Sequence, residues 1–162
     1  MIDYKIIEAC ECCIKCGDKV LLQHRSTLNK HYSGFYSFPG GSLDLYEDPV
    51  LGVIREVKEE TGIILDAEKL KLTVSEFNYH DDENELWVIS TFTTVFDQLP
   101  ITVNSKEGNV EWVEIEKAME LNLVPQTKHY FEQAVNPSGK ILYMITSFTG
   151  DRISKILSEK YI

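Results

Sequence analysis

A chain of 162 residues, 43% hydrophobic and 26% charged, has the size and composition of one soluble globular domain with a real core. Its formal net charge of −10 excludes broad nucleic-acid binding, which needs a basic face, and means that a polyphosphate ligand can be held only with recruited cations. No apolar run approaches the roughly 20 residues of a membrane span, and Met1-Ile2-Asp3-Tyr4-Lys5 lacks the basic and apolar parts of a signal peptide. The expectation is a cytoplasmic protein without membrane contact.

Residues 5–16 (KIIEACECCIKC) read as a strand, and Gly17-Asp18-Lys19 as a turn into a second strand, Lys19 to Arg25. Four cysteines lie in the first strand, at 10, 12, 13 and 16. With no second cysteine pair and no nearby histidine, the expectation is reduced thiols, alternate ones packing inward. Ser26 to Ser37 is a polar loop, followed by the turn Phe38-Pro39-Gly40-Gly41. Asp48 can cap a helix that Pro49 begins, Thr61 ends and Gly62 stops. Strands are expected near 70–79 and 86–96, joined by the acidic turn Asp81-Asp82-Glu83-Asn84, and again at Val110 to Ile115. Glu116–Leu121 and Gln126–Val135 look helical, the second after Pro125. The end is expected to add a strand, Ile141 to Phe148, and a helix, Asp151 to Ile162. This predicts a mixed α/β domain over 1–137, with an extension, 138–162, packed on it.

The chemistry concentrates in residues 41–63, GSLDLYEDPVLGVIREVKEETGI. With Arg55 at zero on a helical wheel, Glu59 falls at about 40°, Glu56 at about 100° and Glu60 at about 140°. Val53, Val57, Thr61 and Ile54 occupy roughly 160° to 260°, so an apolar stripe and an acidic one lie side by side. Carboxylates about 4 Å apart repel by roughly 1–4 kcal/mol per pair, depending on the local dielectric. A fold keeps such a cluster readily when a cation sits there, and Mg²⁺ is the usual occupant beside a phosphate substrate. Glu47 is placed to hold Arg55 as a structural ion pair.

The pattern Gly41-x5-Glu47-x7-Arg55-Glu56-Val57-x-Glu59-Glu60-x-Gly62-Ile63 resembles a complete Nudix box, and Phe38-Pro39-Gly40-Gly41 resembles the family's lead-in. The resemblance implies an α/β/α sandwich around a mixed sheet, with the box as loop–helix–loop. It also implies hydrolysis of a nucleoside diphosphate linked to another group, by water that a divalent ion activates. Carried onto this chain, Glu56, Glu59 and Glu60, with the Gly40 carbonyl, would hold one to three Mg²⁺ or Mn²⁺ ions. Glu107, in Lys106-Glu107-Gly108, resembles a further glutamate that the family often supplies from a loop. Glu59, then Glu107, is the favoured base, with Arg55 and Glu56 completing the catalytic set.

Substrate hints diverge. Leu21 to Ser26 with Lys30, Gly34 and Phe38-Pro39-Gly40-Gly41 looks like the motif of coenzyme A pyrophosphatases, but Gln23 and Lys30 depart from it. Tyr79 stands where some dinucleoside-polyphosphate hydrolases carry tyrosine. The general layout resembles MutT-type triphosphate hydrolases, with Thr127 replacing the asparagine that the oxidised-guanine enzyme uses. Arg25, Lys30 and His31 are candidate phosphate or ribose contacts; Tyr36, Phe38, Tyr79 and Trp87 are candidate base-stacking rings. The leading expectation is a Mg²⁺-dependent pyrophosphohydrolase of a small nucleotide; the alternative is a non-catalytic nucleotide sensor. Prenyl diphosphate isomerisation on the related fold needs a cysteine-and-glutamate pair at the active site, and all four cysteines sit on the first expected strand, away from the box in the sequence. Residues 138–162 can cap the site or form a homodimer contact, and the sequence does not choose.

Overall fold

The computed structural model describes residues 3–28, 31–149 and 152–162. Its frame is a nine-stranded mixed sheet built from β1 (Lys5–Cys16), β2 (Lys19–Arg25), β3 (Tyr36–Ser37), β4 (Gly40–Ser42), β5 (Lys71–His80), β6 (Glu85–Val95), β7 (Gly108–Glu114), β8 (Leu142–Thr149) and β9 (Arg152–Tyr161). The order is β3-β2-β1-β6-β5-β8-β9, with β4 on β1 and β7 on β2. β1 runs parallel to β6 and β5 parallel to β8, while the remaining pairs are antiparallel. Helix α1 (Pro49–Thr61) covers one face; α3 (Pro125–Val135), with the short α2 (Ile115–Ala118), covers the other. This is the expected α/β/α arrangement. Among the described residues no helix is long and apolar enough to cross a membrane.

Among the described residues two large apolar cores follow, one per face, with a smaller cluster of Tyr32, Val124 and Phe148 besides. On the α1 side Val53 and Val57 pack with Cys10, Cys12, Ile14 and Phe92. On the α3 side Phe131, Ala134 and Val135 pack with Cys13, Val20, Leu22 and Met144. Each fully buried aliphatic side chain contributes about 1.5–3 kcal/mol. The cysteine expectation therefore needs correcting. Cys10, Cys12 and Cys13 are all buried, because β1 is a central strand covered on both faces. Burial pushes the Cys10 thiol up to about 12 and raises Cys12 and Cys13 as well, which keeps them protonated and unreactive.

The C-terminal segment also differs from expectation. Arg152–Tyr161 is a strand, not a helix, pairing antiparallel with β8 from Thr149↔Arg152 to Leu142↔Tyr161. It supplies the edge of the sheet, and residues 155–162 are exposed.

One polar layer interrupts the α3-side core. Tyr130 and Thr91 both donate to Oε1 of Glu11, at 2.6 and 2.9 Å, and Thr146 donates to Oε1 of Glu76 at 2.6 Å. Desolvation raises both carboxyls; Arg25 offsets part of the shift at Glu11, whereas no cation among the described residues does so at Glu76, which rises to about 7. A carboxyl that holds its proton more tightly folded than unfolded stabilises most at low pH. That contribution is lost as pH climbs from the unfolded value near 4.5 through about 7. Glu76→Gln keeps an acceptor for Thr146 and cannot ionise. Between about pH 5 and pH 8 it should lose up to about 3 kcal/mol less stability than the wild type, measured by urea denaturation at both pH values.

Candidate active site

The box begins where β4 pairs with β1, Glu11↔Gly40, Cys10↔Gly41 and Ala9↔Ser42. A Cβ on Gly40 would lie 2.2 Å from the Cys10 carbonyl oxygen, and one on Gly41 would lie 2.6 Å from Cδ of Glu56. The double glycine thus lets backbone approach backbone at the first position and a carboxylate approach backbone at the second. The helix then starts as expected: Asp48 Oδ1 accepts from the amides of Val50 and Leu51 at 2.8 and 3.0 Å, with Pro49 in the first turn. It stops at Gly62, whose φ of 77° is left-handed and whose amide donates to the Lys58 carbonyl.

Arg55 is consumed by structure. It grips Glu47 with two bonds, Nε to Oε1 at 2.9 Å and Nη2 to Oε2 at 2.7 Å, and donates Nη1 to Oε1 of Glu56 at 2.8 Å. A fourth bond, from Nη2, reaches the Ser42 carbonyl at 3.1 Å. The guanidinium holds the Glu47 carboxyl down at about 2. The expected ion pair is present, and it ties the loop before the helix to the helix.

The remaining glutamates differ in environment. Glu60 is 2% exposed and accepts the Gly40 amide at 2.8 Å, with the Gln23 amide beside it. Glu56 is partly buried against Gly41, whereas Glu59 has 61% of its side chain in solvent and lies 3.6 Å from Arg55 Nη1. Glu107 joins them from the loop before β7, where its carbonyl accepts from Ser26 and its amide donates to Ser105 Oγ. Desolvation raises Glu56 and pushes Glu60 up to about 8, and the Glu107 charge adds to both. Arg25 faces Glu60, Glu11 and Glu107; its own burial lowers it and those acids oppose the shift.

Glu107, Arg25 and the Gly40-Gly41 turn, against which Glu56 and Glu60 pack, line a cavity of about 1050 Å³. Its floor is the inward face of β1, β6 and β5: Ile7, Ala9 and Glu11, then Trp87 and Ile89, then Asn78 and His80. Gln126, Thr127 and Tyr130 of α3 and Tyr32 of the 26–35 loop close it. Oδ1 of Asn78 and Oε1 of Gln126 are buried without a hydrogen-bond partner.

A model of the NUDIX domain matches residues 10–134. The chain belongs to the Nudix family. Among its relatives is a Nudix hydrolase of Bacillus subtilis strain 168, YvcI, 29% identical over 130 residues, which are 79% of this chain and 78% of that protein. Two Mycobacterium tuberculosis proteins with 8-oxo-dGTP diphosphatase in their names are 31% identical over 107 residues, 65% of this chain. The chain spans about half, 49%, of their length. The solved structure of a MutT mutator protein from Bacillus halodurans superposes with a TM-score of 0.76 at 26% identity, covering 96% of this chain and 97% of that one.

Within this Nudix site the fold brings Arg25, Gly40, Arg55, Glu56, Glu59, Glu60 and Glu107 together. The donor set is of hard oxygens, and two of its acids are pushed toward protonation when no cation shares the site, so it fits Mg²⁺ or Mn²⁺. Lys30 lies outside the described residues. Phe38 touches the cavity but is 2% exposed and stacks on Phe131, so its ring belongs to the core. Tyr79 is not at the cavity. It points from the opposite face of β5 and packs edge-on against Tyr4, while its neighbours Asn78 and His80 face inward. Sequence reasoning missed Asn78, Gln126 and the Glu11–Tyr130 pair. The signal available was the alternation of polar residues at 76, 78 and 80 along β5.

Proposed function

We propose that this protein is a Mg²⁺- or Mn²⁺-dependent pyrophosphohydrolase that cleaves the diphosphate linkage of a small nucleotide, either a nucleoside triphosphate or a nucleoside diphosphate joined to another group. The observation that carries the reading is the packing of Glu56 and Glu60 against the Gly40-Gly41 turn, with Glu59 and Glu107 near enough to act on Glu56 electrostatically, beside a cavity of nucleotide size that the turn and Glu107 line. Glu56, Glu59, Glu60, Glu107 and the Gly40 carbonyl would hold the divalent ions. When bound, these neutralise phosphate oxygens and make water a stronger acid.

The chain's own groups do the rest. Arg25, the cation turned toward this acidic group, is placed to meet a phosphate oxygen. Glu59 is the most solvent-accessible of Glu56, Glu59 and Glu60 and is suited to take a proton from the attacking water at its carboxylate oxygen. Arg55, locked to Glu47, fixes Glu56. The side-chain amides of Asn78 and Gln126 offer both donors and acceptors to a base edge, beside the ring of Trp87. The relatives named for 8-oxo-dGTP support a nucleotide substrate. Thr127 at the helix α3 entrance leaves the base preference to Asn78 and Gln126.

A panel of nucleoside triphosphates, dinucleoside polyphosphates, ADP-ribose and coenzyme A with Mg²⁺, scored for released phosphate, pyrophosphate and monophosphate, tests this. Hydrolysis of at least one member, abolished by chelation, is the expected result. Tight nucleotide binding with no turnover on any member would replace the enzyme with a sensor.

A further inference from the structure

Outside the box, His31, Glu83 and Glu85 each present one ligand atom, and the three atoms lie within 4.8 Å of one another. They come from three places in the chain: the loop between β2 and β3, the turn between β5 and β6, and the first residue of β6. We propose that these three side chains bind a transition-metal ion, Zn²⁺ in the first instance, at a site separate from the box carboxylates. Lys5 pairs with Glu85 and Glu11 with Gly40, so six residues of β1, or about 20 Å of strand, separate the two levels.

The geometry favours an ion over a simple ion pair. Nε2 of His31 stands 3.5 Å from Oε2 of Glu83. A charge-assisted hydrogen bond closes to about 2.7–2.9 Å. Ligand atoms about 2.05 Å from a tetrahedral Zn²⁺ lie about 3.3 Å apart, near the 3.5 Å of the His31–Glu83 pair. One imidazole nitrogen with two carboxylate oxygens is a ligand set for zinc and its neighbours; magnesium takes oxygen alone. The surroundings orient the ligands. Trp87 donates its indole N–H to Oε2 of Glu85 at 3.1 Å and meets the His31 ring edge-on at 6.4 Å between centroids, so one side chain fixes two ligands. At Glu85 one competing cation, Lys5, lies 3.7 Å from Oε1 on a side chain that is 72% exposed and can swing away.

Such an ion would clip the 26–35 loop to the β5–β6 turn at the far mouth of the cavity, which both His31 and Glu85 line. It would also bear on the catalytic end, because Nε of Arg25 donates to the His31 carbonyl at 3.3 Å. The test keeps the box filled. With the full chain in excess Mg²⁺, Co²⁺ is titrated as a coloured zinc substitute, with Zn²⁺ competition read from loss of the visible absorption. One equivalent of tetrahedral Co²⁺ is expected in the wild type and in Glu59→Gln, with affinity falling by at least about tenfold in His31→Ala and in Glu85→Gln. Glu83→Gln, on the exposed turn, gives the same answer if His31→Ala fails to fold. No absorption in the wild type, equal binding in all the ligand variants, or loss in Glu59→Gln alone would each overturn the proposal.

Discussion

Glu60→Gln is expected to lower nucleotide hydrolysis by about 10² or more, the scale of losing a metal ligand, while leaving the protein more stable than the wild type in chelator. The two effects have one origin. Glu60 is buried, and its carboxyl sits at about 8 because desolvation outweighs the bond from the Gly40 amide and the nearby Gln23 amide. Since the unfolded value is near 4.5, the fold gains from protonated Glu60 at low pH and forfeits that gain as pH rises through about 8. At neutral pH, holding the proton draws on folding stability by a few kcal/mol. Glutamine still accepts the Gly40 amide and has no charge to desolvate. Urea denaturation with chelator at neutral pH should therefore rank the variant above the wild type. Saturating Mg²⁺ should close or reverse the gap, because only the wild-type carboxylate gains by binding the ion. Equal activity in the two proteins would remove Glu60 from the metal site.

How much of this was readable in advance depended on whether a residue's role is local. The box helix was legible because its boundaries are set by neighbours in sequence: Asp48 caps, Pro49 starts, Gly62 stops. The Glu47–Arg55 clamp was legible for the same reason, since the loop and the helix are contiguous. β5 shows how the hydrophobic pattern misleads. Phe77 and Tyr79 invite an inward placement, yet the face carrying Glu76, Asn78 and His80 is the buried one, because that face floors a polar cavity. Tyr79 was a candidate contact only through its resemblance to a tyrosine position in related hydrolases, and nothing comparable marked Asn78. β9 failed differently. Ile153, Ile156 and Leu157 fall at helical spacing, while irregularities in its pairing at Ile145/Thr146 and Ser147/Phe148 break the alternation a strand would show. An edge strand exposed at residues 155–162 has no buried face to imprint a period on the sequence. The cavity wall joins residues as distant as Ile7 and Tyr130, and that proximity exists only once β1 and β6 have paired.

Adjacent alanine substitutions at the double glycine should separate fold from function. Gly40→Ala places a Cβ 2.2 Å from the Cys10 carbonyl oxygen and 2.5 Å from Cα of Glu11, at a φ of 157°. Both obstacles are backbone of a central strand, so no rotamer relieves them, and the three-residue strand β4 must part from β1. A loss of about 4 kcal/mol or more is expected in urea denaturation, with hydrolysis falling because the amide that holds Glu60 moves. Gly41→Ala meets only the end of the Glu56 side chain, at 2.6 Å from Cδ and 2.7 Å from each oxygen. That carboxylate can swing aside, so the expected stability loss is about 1 kcal/mol. Swinging it aside removes it from the place where it would meet a cation, so turnover should drop by at least about tenfold in the well-folded variant. A Gly41→Ala protein with full activity would mean that Glu56 works from another position than the one the turn gives it. The neighbouring glycines thus serve different ends: the first lets the strand close, and the second leaves room for a charge.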